Sequence, residues 1–189
     1  MLYAGNMGYR GPAFSYARIP DQYTWNRFYE RELAGPHAPV MAEIDLVSSH
    51  TPWAPIPRLV PWSDIGDGSV FEPQPAEGSS ALDVWTDPER VRQAYGQSVE
   101  YTLGAMFSFL HTYDPADLVL VVVGDHQPAR IVSGPGADRD VPITVISKDP
   151  AVMNCIASWR WDAGIRPQPT APVWRMDEFR DRFLDAFGG

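Results

Sequence analysis

Asp125 and His126 stand side by side just after six consecutive aliphatic residues, 118–123, and a glycine, Gly124. A carboxylate and an imidazole both ligate zinc or manganese, so the pair suits a divalent cation. Neighbours in sequence reach one ion only where the backbone bends, which Gly124 permits. A catalytic centre takes at least three protein ligands, so any others must come from elsewhere. The dipeptide equally fits a turn in which Asp125 caps backbone amides and His126 lies at the surface.

His50 is the second candidate. It follows an alternating stretch, residues 40–47, and can ligate a metal, meet an anionic oxygen or cap its turn. Ser48 and Ser49 could serve as nucleophiles with His50 or His126 as base. The G-x-S-x-G elbow is absent, however, and a serine next to a histidine in sequence rarely points at it. No catalytic nucleophile is assigned within the chain. His37 and His111 fall at predicted helix ends and read as surface residues.

The elements that must position these residues follow from periodicity. The aliphatic run 118–123 is too short for a helix and lacks polar alternation, as in a strand buried on both faces of a parallel sheet. Ligands of open α/β sheets bind at the carboxyl ends of such strands. Residues 40–47 alternate, with apolar 40, 42, 44 and 46 around Glu43 and Asp45, and predict a second strand ending just before His50. Residues 141–146 predict a third, with Pro142 at its start.

Asp21 is expected to cap a helix from Gln22, with Tyr23, Phe28 and Leu33 inward and a stop at Gly35-Pro36. Thr86 or Asp87, Pro88 and Glu89 form a helix start, and Val91, Tyr95, Val99, Thr102, Met106 and Phe109 or Leu110 supply the apolar side of a helix ending near Tyr113. A turn at 114–117 leads into the aliphatic strand. A helix from Asp149 or Pro150 to Trp159 follows the third strand. A last helix from Met176 or Asp177 to Phe187 carries Phe179, Phe183, Leu184 and Phe187 inward.

Between residues 52 and 85 runs a loop with six prolines and three tryptophans, which Trp53, Trp62, Phe71 and Trp85 could pin down as an ordered flap. Residues 1–21 are aromatic-rich and irregular, like a segment that something else covers. The order of elements reads as α/β with at least three core strands.

Composition bounds what the chain does. At 189 residues and 44% hydrophobic, it can bury one real core. A net charge of −9 with no basic run argues against nucleic acid as a partner. Cys155 is the lone cysteine, so no internal disulfide forms. No apolar run approaches 18 residues and no signal pattern opens the chain, so it reads as soluble.

Together these pieces resemble the sulfatase-like branch of the alkaline phosphatase superfamily, which includes membrane-anchored phosphoglycerol transferases. The resemblance covers about residues 20 to 150. It rests on a strand followed by Ser48-Ser49-His50-Thr51-Pro52-Trp53, a long loop, and the helix bearing Tyr95, Ser98, Tyr101, Leu103 and Gly104. It continues with the aliphatic strand ending Gly124-Asp125-His126 and the Val141-Pro142-Ile143 strand. It implies a partial alkaline-phosphatase-like sheet with flanking helices, and the C-terminal portion of one such domain, with 151–189 as a helical extension. It gives Asp125 and His126 the divalent metal (manganese, zinc, calcium or magnesium) and gives His50 the anionic phosphate- or sulfate-ester substrate. The family's nucleophile and first acidic ligand lie upstream of these motifs, in a stretch with no counterpart here. The expected partner is therefore the upstream half of the same domain in a longer, membrane-anchored protein with an extracytoplasmic domain. Two departures stand out: Gln127-Pro128 where a glycine often follows the histidine, and Thr102 where many members carry an aspartate. The alternative is a non-catalytic remnant or binding module that keeps the fold.

Overall fold

A computed structural model describes residues 1–115 and 117–188. The chain divides into two compact units, Met1–Asp114 with Arg130–Val132, and Pro115–Ala129 with Ser133–Gly189. The turn expected at 114–117 contains Ala116, which lies outside the described residues. Among the described residues, no helix is long and apolar enough to cross a membrane.

The first unit is helical. Helix α1, Asp21–Phe28, runs on into a π-helical turn, Tyr29–Leu33. Short helices α2, Gln74–Glu77, and α3, Ala81–Val84, lie in the Pro/Trp-rich loop, and α4 spans Pro88–Tyr113. The start and stop of α4 are local: the Asp87 carboxylate accepts the Glu89 amide at 2.8 Å, and Asp114 closes the helix with φ 45°.

The buried stripe of α4 is Val91, Ala94, Ser98, Tyr101, Ala105, Met106 and Phe109. The every-fourth-residue face expected from the sequence drifts off it: Tyr95, Val99 and Thr102 are only half-buried. Steps of four residues advance about 40° beyond a full turn, so a straight stripe must mix threes with fours.

Phe109 is the hub of this unit, stacked on Trp25 at 4.7 Å and met edge-on by Trp62 and Tyr29. A second cluster gathers Met7, Phe14, Ile19, Tyr23, Ile65 and Phe71. The irregular N-terminal segment is thus covered by the long loop, whose tryptophans do pin it: the Trp62 indole donates to Ser108 Oγ at 2.9 Å, and Trp53 and Trp85 stack at 5.7 Å. The Gln22 amide holds Val60 from both sides, donating to its carbonyl at 2.7 Å and accepting its N–H at 3.0 Å.

Residues 40–47 are not a strand. They carry no ladder partner and are mostly exposed. Alternation marks residues suited to a strand, but the strand forms only where a neighbour satisfies its amides and carbonyls.

The second unit holds a two-stranded sheet, β1 (Val119–Val123) and β2 (Ile143–Ser147), antiparallel with Val121 opposite Val145. The chain is therefore α/β only in the coarse sense of helices with a small sheet. The expected parallel, doubly buried strand is corrected: Val119 and Val123 are 40% and 47% exposed. Helices α5 (Arg130–Ser133), α6 (Pro150–Cys155) and α7 (Met176–Phe187) complete the chain. α6 is capped by the Asp149 carboxylate, and a 3-10 turn, Ala157–Trp159, carries it to the expected end.

Val145, Ile156 and Trp159 form the buried centre of this unit, with Val121, Trp174, Phe179 and Phe183 packed around it. Arg182 lies over the Trp174 ring at 4.3 Å. Phe179, Phe183 and Phe187 face inward as expected, but Leu184 is 58% exposed and Ala186 takes the inner place. Phe183 and Leu184 are about 100° apart on the helix, and the aromatic row has already set which side is inside.

Candidate functional site

Gly124 follows β1 at a tight point: a Cβ there would stand 3.3 Å from Val141 Cβ, so the valine would have to give by a few tenths of an ångström, and the Gly124 N–H donates to the Pro142 carbonyl at 3.1 Å. Asp125 and His126 follow at that strand end. Asp125 Oδ1 accepts the His126 amide at 2.9 Å, and Asp125 Oδ2 lies 3.4 Å from His126 Nε2. One carboxylate thus accepts the following backbone amide and also approaches the imidazole. The other ring nitrogen, Nδ1, is 2.8 Å from the Gln127 carbonyl. A carbonyl only accepts, so Nδ1 carries a proton in that contact. The two side chains are 87% and 70% exposed, open to a ligand. Among the described residues, no three His, Cys, Asp or Glu side chains converge as a metal set.

His50 is built in the same way in the other unit. Its Nδ1 is 2.7 Å from the Thr51 carbonyl, which only accepts, so Nδ1 carries a proton in that contact. Both histidines belong to a His-x-Pro sequence, His50-Thr51-Pro52 and His126-Gln127-Pro128. Proline holds the preceding residue extended, which favours one fixed direction for the carbonyl that receives Nδ1–H. The exposed His50 ring also stacks on Tyr16, with centroids 3.9 Å apart and planes 19° from parallel. Its N–H donates to the Val47 carbonyl at 3.1 Å, closing a turn, and Trp53 Nε1 ties the Ser49 carbonyl at 2.8 Å. His37 and His111 are exposed, as their positions predicted.

Ser48 is buried, and its Oγ accepts the Asp21 amide at 3.2 Å. Asp21 is the residue that sequence reasoning misplaced. Pro20 occupies the cap position, so Asp21 falls in the first turn of α1 and its side chain turns inward to full burial. Its Oδ1 accepts the amides of Val47 and Ser48, each at 3.0 Å, and its Oδ2 accepts the Thr102 hydroxyl at 2.7 Å. The proline just before it was the available signal, since proline favours the edge of a helix and pushes an acid into the first turn.

Burial raises the Asp21 carboxyl above its ordinary 3.8, and the hydrogen bonds from Thr102, Ser48 and Val47 oppose that rise. The folded state thus holds this proton more tightly than the unfolded chain does. The contribution to stability is full below pH 3.8 and is lost as pH rises through the folded value. Asp21→Asn keeps the acceptor but removes the titration. Its stability relative to wild type should therefore climb with pH across that window and level off above it. Urea midpoints at stepped pH check this, and a difference that falls with rising pH refutes it.

No protein-family model, characterised protein or solved structure matches the chain.

Proposed function

We propose that the chain is the C-terminal part of a metal-dependent, sulfatase-like hydrolase or transferase acting on phosphate or sulfate esters. Asp125 and His126 supply two ligands of a divalent cation, and His50 meets an anionic ester oxygen. The observation that carries this reading is the 3.4 Å spacing of Asp125 Oδ2 and His126 Nε2. Two ligand atoms at about 2.0–2.1 Å from one tetrahedral ion stand about 3.3 Å apart. The Nδ1–H bond to Gln127 is the usual outer partner of a metal-bound histidine, fixing the ring and the free nitrogen. Carboxylate with imidazole suits zinc or manganese. A cation held there would lower the pKa of a bound hydroxyl and neutralise charge on the transferred group.

In this reading β1 and β2 are two strands of an alkaline-phosphatase-like sheet. The nucleophile and remaining ligands lie in an upstream half of the domain, within a longer, membrane-anchored protein whose catalytic domain is extracytoplasmic. The test is calorimetry with Mn²⁺ or Zn²⁺. Two ligands should give weak binding, and Asp125→Ala should abolish it with the circular dichroism unchanged. Affinity unaltered in that variant places any metal elsewhere and overturns the assignment.

A further inference from the structure

Three separate parts of the first unit meet at one buried carboxylate. Asp21 belongs to α1, Thr102 to the middle of α4, and Val47 and Ser48 to the segment that leads directly to His50. Asp21 and Ser48 grip each other reciprocally. The carboxylate takes the Ser48 amide at 3.0 Å, and the Asp21 amide gives its hydrogen to Ser48 Oγ at 3.2 Å.

The segment needs such a grip. Residues 40–46 before it carry no regular structure and are largely exposed, so no ladder fixes where His50 begins. Beyond the grip, the His50 amide bonds back to the Val47 carbonyl at 3.1 Å, so whatever holds Val47 also holds the turn that bears the imidazole. The ring itself then rests on Tyr16. A carboxylate accepting several bonds at full burial is over-determined, since releasing any one of them leaves a buried polar group unpaired.

We propose that Asp21 is the positioning residue for His50: through the Val47 and Ser48 amides it anchors the turn that carries the imidazole and sets the ring on Tyr16. This rests on the reading of His50 as the contact for an anionic oxygen. Asp21 touches no substrate and acts only through the turn. It differs from a core residue in that a neutral acceptor of the same shape does its work.

The test is nuclear magnetic resonance of the whole chain. Stacked on Tyr16, the His50 ring protons should resonate upfield. Asp21→Ala should remove that shift and speed exchange of the Val47 and Ser48 amides about tenfold or more, the mark of a locally opened segment. Asp21→Asn, which keeps an oxygen for both amides, should restore shift and protection together. A folded Asp21→Ala with His50 unmoved and both amides protected overturns the proposal.

Should Asp21→Ala fail to fold, wild type and Asp21→Asn still decide. Fast exchange of the two amides in wild type, or a His50 ring released by Asp21→Asn despite retained fold, overturns it equally. Inorganic phosphate titrated into wild type separates the two claims. If phosphate leaves the His50 resonances unmoved, the anion contact falls, whereas the positioning is judged by ring shift and amide exchange without any ligand.

Discussion

Incubated with nitrophenyl phosphate, bis-nitrophenyl phosphate or nitrophenyl sulfate and added Mn²⁺ or Zn²⁺, the 189-residue chain is expected to release no nitrophenol above background. The reaction needs an activated nucleophile in line with the leaving group, and a hydroxyl near its free pKa is a poor one. Ser48 is buried and its oxygen already accepts the Asp21 amide. The imidazole nearest in sequence, His50, has Nδ1 committed to the Thr51 carbonyl and its face to Tyr16. Asp125 and His126 offer two donors where a catalytic centre uses three or more. Members of a cooperative site fail together, so losing the nucleophile and a ligand should leave nothing measurable. Turnover that vanishes in both Ser48→Ala and Ser49→Ala would locate the nucleophile inside the chain and refute the half-enzyme reading.

Phe109→Ala is expected to cost about 3–5 kcal/mol, the range for truncating a buried aromatic residue. Phe109 is 0% exposed, stacks on Trp25 of α1 at 4.7 Å and meets Trp62 of the long loop at 6.1 Å. Removing it leaves a void between helix, helix and loop that rigid rings close poorly. Each lost ring pair adds to the area term, at about 0.5–1.5 kcal/mol. Against a typical total stability of about 5–15 kcal/mol, such a loss leaves the first unit marginal. Equilibrium unfolding in urea, read by tryptophan fluorescence, measures it. A change below about 1 kcal/mol would mean that Phe109 is not the hub of this core.

Much of the local structure was legible because its causes are local. The Asp87 cap, Pro88 and the amphipathic period suffice to delimit α4, and the aliphatic runs mark both β1 and β2. The place of Asp125 and His126 just past a strand end was legible too, since a glycine after an aliphatic run leads straight to them. The covering of the long loop by tryptophans followed from their number and size.

Other features depend on partners far away in the chain, and there residue patterns are silent. Residues 40–47 alternate like a strand, yet an alternating segment becomes one only beside another strand. The direction of the β1–β2 pairing is set by how the connection returns, which the aliphatic residues themselves do not encode. Asp21 shows the limit most plainly. From its neighbours it reads as a cap at a helix start. Its burial is decided by amides 26 and 27 residues away and a hydroxyl 81 residues away, because a carboxylate leaves water only where enough donors meet it.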